Sequence, residues 1–269
     1  MALFKVLIEY DGTRYSGWQV QKNARTVQGE IIRVLKKTCK TDDVELYGAG
    51  RTDAGVHALG QVAHLDVQTM LAPEIIRMKL NDELPSDINI LDVEKAPRGF
   101  HARHDAIARS YLYQISRRRT AFGKRYVWWI KDRLDFNAME KTASLFVGMK
   151  DLRSFTDADP EEESTKVLIE AVNMTADGDL VLLRFRGSHF LWKLVRRVVG
   201  VIAEVGRGTL TPQEVEQLIL QKSDAPAHFT APPSGLFLEK IWYGGDQEVS
   251  PLRPAFSVPA CVHHSKSTR

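Results

Sequence analysis

Apolar positions along this chain of 269 residues switch between a spacing of about two and a spacing of about 3.6. Residues 3–10 form a short apolar-rich run that reads as a strand. Thr26 stands where it can cap a helix whose apolar stripe is Val27, Ile31, Leu35 and Cys39, every fourth residue. Residues 44–49 and 61–67 read as two strands, the second alternating Ala63, Leu65 and Val67. Pro73 suits the first turn of a helix that runs to about Asn81, and residues 88–94 read as a further strand. The order is β-α-β-β-α-β, the ferredoxin-like pattern.

The second half repeats that order with insertions. Residues 107–116 alternate, with Ile107, Arg109, Tyr111, Tyr113 and Ile115 on one face. Phe136, Met139, Ala143 and Phe146 mark a helix. Residues 167–174 and 180–185 read as strands about an Asp177-Gly178-Asp179 turn. A long helix is expected over about residues 190–205, with Leu191, Leu194, Val195, Val198, Ile202 and Val205 on one face. Thr211-Pro212-Gln213-Glu214 has the form of a capping box, so a further helix follows, and residues 236–243 read as the last strand. The pattern therefore predicts an α+β fold of two ferredoxin-like halves, residues 1–104 and 105–245, with the boundary near residues 98–105. Their sheets can join side by side into one central sheet, with a cleft between the halves where a site can form. Residues 246–269 carry Pro251, Pro254 and Pro259 and few periodic apolar positions, and read as a loosely ordered tail.

Composition changes the picture little. Net charge is +3, from 37 basic and 34 acidic residues, but the basic residues cluster. Residues 98–133 hold ten Lys or Arg and two acids, and residues 184–207 hold six and one. Such clustering suits a phosphate-bearing partner and equally suits two solvated, Arg-rich segments. Cys39 and Cys261 lie far apart with no metal-type spacing, and no apolar run reaches the ~18 residues that cross a bilayer. A reduced, cytoplasmic protein is the expectation.

One loop stands out. Gly48-Ala49-Gly50-Arg51-Thr52-Asp53-Ala54-Gly55-Val56-His57-Ala58 lies between two strands, and its glycines permit a tight course that could present Asp53 to a cleft. Arg51 and His57 flank Asp53 in sequence and could favour its charged form. Spacing alone favours a plainer reading, a turn in which Asp53 caps local backbone N–H groups. Other features invite plain readings too. Tyr111 and Tyr113 can be core aromatics, Arg196 and Arg197 can face solvent, and Trp128-Trp129 can straddle a strand with one ring inside. The acidic run 157–163 reads as a solvated loop, and His101 with His104 lacks the cysteines or carboxylates of a metal set. No phosphate-binding glycine fingerprint is present.

The loop is similar, residue for residue, to the signature loop of the TruA family of tRNA pseudouridine synthases. The likeness continues in order along residues 3–243. Tyr10-Asp11-Gly12-Thr13-Arg14-Tyr15-Ser16-Gly17-Trp18-Gln19 resembles the family's opening segment. Phe100-His101-Ala102-Arg103 and Ala108-Arg109-Ser110-Tyr111-Leu112-Tyr113 resemble its second motif. Residues 190–200 resemble the third, and Ala231-Pro232-Pro233-Ser234-Gly235-Leu236-Phe237-Leu238 the closing one. Two departures occur. Lys193-Leu194-Val195-Arg196 stands where the family usually has Asn-Met-Val-Arg, and residues 148–155 depart from its Asp-Phe-x-x-Phe.

The resemblance implies a pseudouridine synthase fold and an isomerase that converts uridine to pseudouridine at positions 38, 39 and/or 40 in the tRNA anticodon arm. It implies Asp53 as nucleophile and Arg196 as its partner. Tyr111 would be the ring that packs on the target base, with Tyr111 or water taking the last proton. Arg51 would hold RNA and the flipped base. Arg103, Arg109, Lys193, Arg197 and Leu236 fall in the same motifs and are expected to contact RNA. A homodimer that shares one tRNA is implied, and no metal or cofactor is expected, because an isomerisation needs no redox partner or energy source. The alternatives are a tRNA-binding or tRNA-folding module without catalysis and, behind it, a carboxylate-dependent hydrolase, which lacks a clearly spaced second acid.

Overall fold

Capping and alternation place the elements. The Thr26 hydroxyl accepts from the Gly29 N–H and opens helix α1, Val27–Cys39, which Lys40 ends in the left-handed region. Before it runs β1, Ala2–Tyr10, with every second residue from Phe4 buried. After it come β2 (Val44–Gly48), β3 (His57–Val67), α2 (Pro73–Glu83) and β4 (Ile88–Lys95). The second half runs β5 (Ala108–Ser116), β6 (Trp128–Trp129), α3 (Phe136–Ser144), β7 (Gly148–Asp151), β8 (Lys166–Asp177) and β9 (Leu180–Gly187). It closes with α4 (Leu194–Arg207), α5 (Pro212–Leu220), α6 (Ala225–His228) and β10 (Leu236–Trp242). The computed structural model describes residues 2–157, 164–246 and 251–258.

Among the described residues all ten strands belong to one sheet, in the order β4-β1-β3-β10-β5-β9-β8-β7, with β2 paired to β3 and β6 to β5. The first half's strands lie β4-β1-β3-β2, and the main strands of the second lie β10-β5-β9-β8. Each half thus shows the same arrangement of its first, second, third and last strands, which is the α+β duplication that the alternating periods predict. β3 is longer than the sequence pattern suggests, by four residues at its start. β2 pairs only with residues 63–67 of β3, so the start of β3 is left free on that edge. There it meets β10, in parallel, through Phe237 opposite His57 and Leu238 opposite Ala58. The halves are therefore sutured where the loop between β2 and β3 enters the sheet.

The main core holds Phe4, Val6, Ile8, Ile31, Leu65, Phe146, Phe155 and Phe185 with the helices. β5 departs from simple alternation: Ile107 is exposed, and both faces from Ser110 onward are buried. The reason is a second layer. Leu112, Leu180, Leu182 and Phe237 on the opposite face are covered by Val127, Leu252, Ala255 and Val258. Residues 251–258 of the expected tail are thus packed on the sheet. The buried Gln114 accepts from the backbone N–H of Ala255 at 2.6 Å and of Phe256 at 3.4 Å. The rest of that stretch, and residues 158–163 of the acidic run, lie outside the described residues.

The long helix starts four residues later than its apolar stripe suggests. Lys193 takes a left-handed backbone (φ 62°), so residues 188–193 form a loop that turns into α4 at Trp192 and Lys193. Trp128 packs edge-on to Tyr113 while Trp129 is exposed, as expected of a pair that straddles a strand. Among the described residues no helix is long and apolar enough to cross a membrane.

Candidate active site

The loop carrying Asp53 is held from three sides. From below, Gln61 of β3, wholly buried, donates to the Gly50 carbonyl at 2.8 Å and accepts from its N–H at 3.3 Å. From the opening segment, Tyr10 bonds Thr52 through their hydroxyls at 2.8 Å, and the Trp18 N–H reaches the Thr52 carbonyl at 3.1 Å. Two glycines make that approach possible. A Cβ on Gly12 would lie 1.9 Å from the Val56 carbonyl oxygen. Gly17 (φ 90°) would place one 2.6 Å from that of Thr52. From the far end, His57 anchors the loop's exit: its Nδ1 accepts from the Gly12 N–H at 3.2 Å and its Nε2 lies 3.0 Å from the Arg125 carbonyl.

That anchoring corrects one expectation. His57 does not flank Asp53 in space. It is almost fully buried beside Asp11, between Phe237 and Tyr126, and lines a separate cavity of about 340 Å³. Burial pushes its pKa down, against the pull of Asp11, so the ring is held neutral. Sequence adjacency could not say which way the ring turns at the start of a strand.

Asp53 faces a cleft of about 1060 Å³ between the halves. Its Oδ2 accepts from Nη1 of Arg196 at 3.1 Å, across 143 residues of chain. Arg196 is aimed by the closing motif: its Nε donates to the Ala231 carbonyl at 2.8 Å, and its own carbonyl accepts the Ala231 N–H at 3.0 Å. Tyr111, on β5, lines the same cleft with its ring packed edge-on by Phe190, centroids 5.0 Å apart. Its hydroxyl approaches within 3.9 Å of the point where a Cβ on Gly50 would sit. Burial and then the Asp53 charge push the Tyr111 pKa up to about 12, with Arg109 acting in the other direction. The structure thus brings Asp53, Arg196 and Tyr111 to one wall.

The remaining expected contacts divide. Arg51 and Arg103 are exposed on the cleft and make no side-chain hydrogen bond or ion pair among the described residues. Leu236 lines the cleft at the start of β10. Lys193 lines it too, but its ammonium is paired with Asp157 at 2.7 Å. Arg109 is different from expectation. Its guanidinium donates to the carbonyls of Ala106, Ser188, Ala49 and Arg103 at 2.7–3.3 Å, which leaves little to offer RNA. Arg197 neither faces solvent nor lines the cleft. It is buried, donating to the Thr156 carbonyl at 2.7 Å and paired with Asp157. Both arginines satisfy backbone carbonyls inside the fold, a use that a charge count along a sequence does not distinguish from phosphate binding. Gln61 and Phe190 are the positioning residues that the sequence reading missed. A glutamine amid the apolar residues of a strand was the available signal for the first.

The charge of the cleft follows: five Lys or Arg and two Asp line it, with His101, His104 and His189. Its volume exceeds what a small-molecule pocket usually needs and suits part of a macromolecule. Among the described residues no group of three His, Cys, Asp or Glu is gathered for a metal ion.

A family model described as tRNA pseudouridine synthase matches residues 6–105 and 142–244. A tRNA pseudouridine synthase A of Geobacillus kaustophilus (strain HTA426) is 39% identical over 241 residues, 89% of this chain and 93% of the relative. That of Geotalea uraniireducens (strain Rf4) is 39% identical over 245 residues, 90% of this chain and 100% of the relative. That of Thermodesulfovibrio yellowstonii is 35% identical over 255 residues, again covering 90% and 100%. With matches of this extent running through the elements that build the cleft, the chain belongs to the tRNA pseudouridine synthase family and is an isomerase.

Proposed function

We propose that this chain converts uridine to pseudouridine at positions 38, 39 and/or 40 of the tRNA anticodon arm, with Asp53 as the nucleophile. The observation that carries this reading is the Asp53–Arg196 pair at 3.1 Å, set in a basic cleft beside Tyr111. In the reaction the N1–C1′ bond breaks, the uracil turns, C5 joins C1′, a proton leaves C5 and N1 takes one up. Atoms balance without a second substrate. The target base must leave its stack, at a cost of a few kcal/mol. Packing on the Tyr111 ring offsets about 1–3 kcal/mol of that. Arg196 holds one carboxylate oxygen, so the other can be directed at the nucleoside. Arg51 and Arg103 present their guanidinium groups where phosphates would pass, and backbone contact of this kind suits a structured RNA stem. The reading extends, on family resemblance, to a cytoplasmic homodimer with one tRNA across both subunits. Light scattering that returns 30.4 kDa for the protein alone, and the mass of one chain plus one tRNA for the complex, would count against the dimer.

The test is tritium release from tRNA transcripts labelled at C5 of uridine, followed by mapping of the modified positions. The wild type is expected to release tritium and to mark positions 38–40. Asp53→Asn is expected to release none while still retarding tRNA on a gel. Undiminished release by Asp53→Asn would remove Asp53 as nucleophile. Binding without release by the wild type would favour the non-catalytic tRNA-binding reading.

A further inference from the structure

We infer that Trp192 is a stacking platform for a nucleobase of the bound RNA, beside the pocket of the target uridine. The inference rests on the tRNA reading above and adds a binding subsite to it. Trp192 is 56% exposed, yet it sits in the wall of the cleft, two residues after the Phe190 ring that packs Tyr111. Its indole N–H has no partner among the described residues.

The ring is also held. The Thr156 hydroxyl donates to the Trp192 carbonyl at 3.0 Å, and the left-handed Lys193 turns the chain directly after it. The Lys193 ammonium lies 4.5 Å from the ring centroid and is itself tied to Asp157 at 2.7 Å. One face of the indole is therefore covered by a fixed cation, and the other is open. Lys193 thereby acquires a task other than contact with phosphate: it fixes the platform. The ligand that matches a rigid aromatic face in the same cleft as the unpaired Arg51 and Arg103 is an unstacked base with its backbone phosphate. A π-face accepts any base, so the platform adds affinity rather than sequence choice.

The protein has five tryptophans, and Trp18 and Trp242 are buried, so Trp192 can be read by difference. Unmodified tRNA transcript is titrated into the wild type, Trp192→Phe and Trp192→Ala at one fixed salt concentration, following tryptophan fluorescence and gel retardation together. Stacking is expected to quench the wild type, and most of that quench is expected to vanish in Trp192→Phe, whose affinity stays near wild type. Trp192→Ala is expected to bind roughly 5- to 100-fold more weakly. The same quench in Trp192→Phe as in the wild type, or unchanged affinity of Trp192→Ala, overturns the platform. Tritium release measured in parallel separates the two proposals. Quench and affinity loss without release by the wild type would keep the platform and remove the synthase reading.

Discussion

Tyr111 lies buried on a wall it shares with two charges of opposite sign, and burial together with Asp53 sets its proton. With its pKa pushed up to about 12, the ring remains a neutral phenol throughout the working range. On the proposed reading it is therefore a surface for the target base, and water is the expected acceptor of the C5 proton. Tyr111→Phe is expected to keep turnover within about tenfold of wild type, and Tyr111→Ala to lose about a hundredfold or more. Turnover of the wild type and of Tyr111→Phe should follow the same course with pH up to about pH 10, measured by tritium release. Abolished turnover in Tyr111→Phe with tRNA binding intact would restore the proton-acceptor role. Stability has a matching sign. The native state favours the protonated phenol, so its contribution is complete below about pH 10 and is lost as pH rises through about 12. At this scale the sequence showed residue types but not directions. Asp53 was legible through its loop. That His57 turns away into a separate cavity, and that Arg197 is buried against Asp157, depends on side-chain course and burial, which adjacency does not encode.

Elements bounded by a cap or a turn were legible because local chemistry ends them. Thr26 and Thr211 both cap as their side chains suggest, and Thr211 with Glu214 completes the capping box. The start of α4 was not legible, since Phe190, Leu191 and Leu194 continue the apolar stripe while Lys193 breaks the helix through its backbone alone. Nor was the strap at residues 251–258. Leu252, Ala255 and Val258 have no strand or helix period, because they follow the far side of a sheet rather than forming an element. The strap reaches toward the active-site loop by contact: Phe256 packs on Tyr126 at 5.3 Å, and Tyr126 on His57 at 5.3 Å, at the loop's exit. Gly123 makes room, as a Cβ there would meet the Phe256 ring at 2.1 Å. Phe256→Ala is expected to lower stability by about 1–3 kcal/mol, less than a fully buried Phe because this one is half-buried. Differential scanning calorimetry should show the melting point fall by several degrees. An unchanged melting point would mean that the Phe256 ring contributes no packing energy.

At the scale of the molecule, the joint between the halves decides whether Asp53 and Arg196 meet. The duplicated β-α-β-β-α-β order was legible. The suture was not, since two parallel residue pairs between β3 and β10 leave no mark in a periodicity. So short a ladder needs reinforcement, and Arg109 supplies it. Its guanidinium bonds Ala49 just after the first half's β2, Arg103 and Ala106 in the connection, and Ser188 in the second half. Burial pushes its pKa down, yet the group has no other state to adopt near neutral pH, so the four carbonyls hold a charged clamp. Arg109→Met removes the donors and leaves partly buried carbonyls unsatisfied, an expected loss of about 2–4 kcal/mol in urea unfolding. The functional signature separates a clamp from a phosphate contact. A clamp predicts a lower kcat, because Asp53 and Arg196 lose register, with a salt dependence of tRNA affinity equal to that of the wild type. A phosphate contact predicts weaker binding at every sequence and a log–log salt slope smaller by about one. The same salt titration on Arg51→Met and Arg103→Met is the positive control, since those two guanidinium groups face the cleft without a protein partner among the described residues. A reduced slope for Arg109→Met alongside theirs would return Arg109 to the RNA surface and leave the suture with no polar clamp of its own.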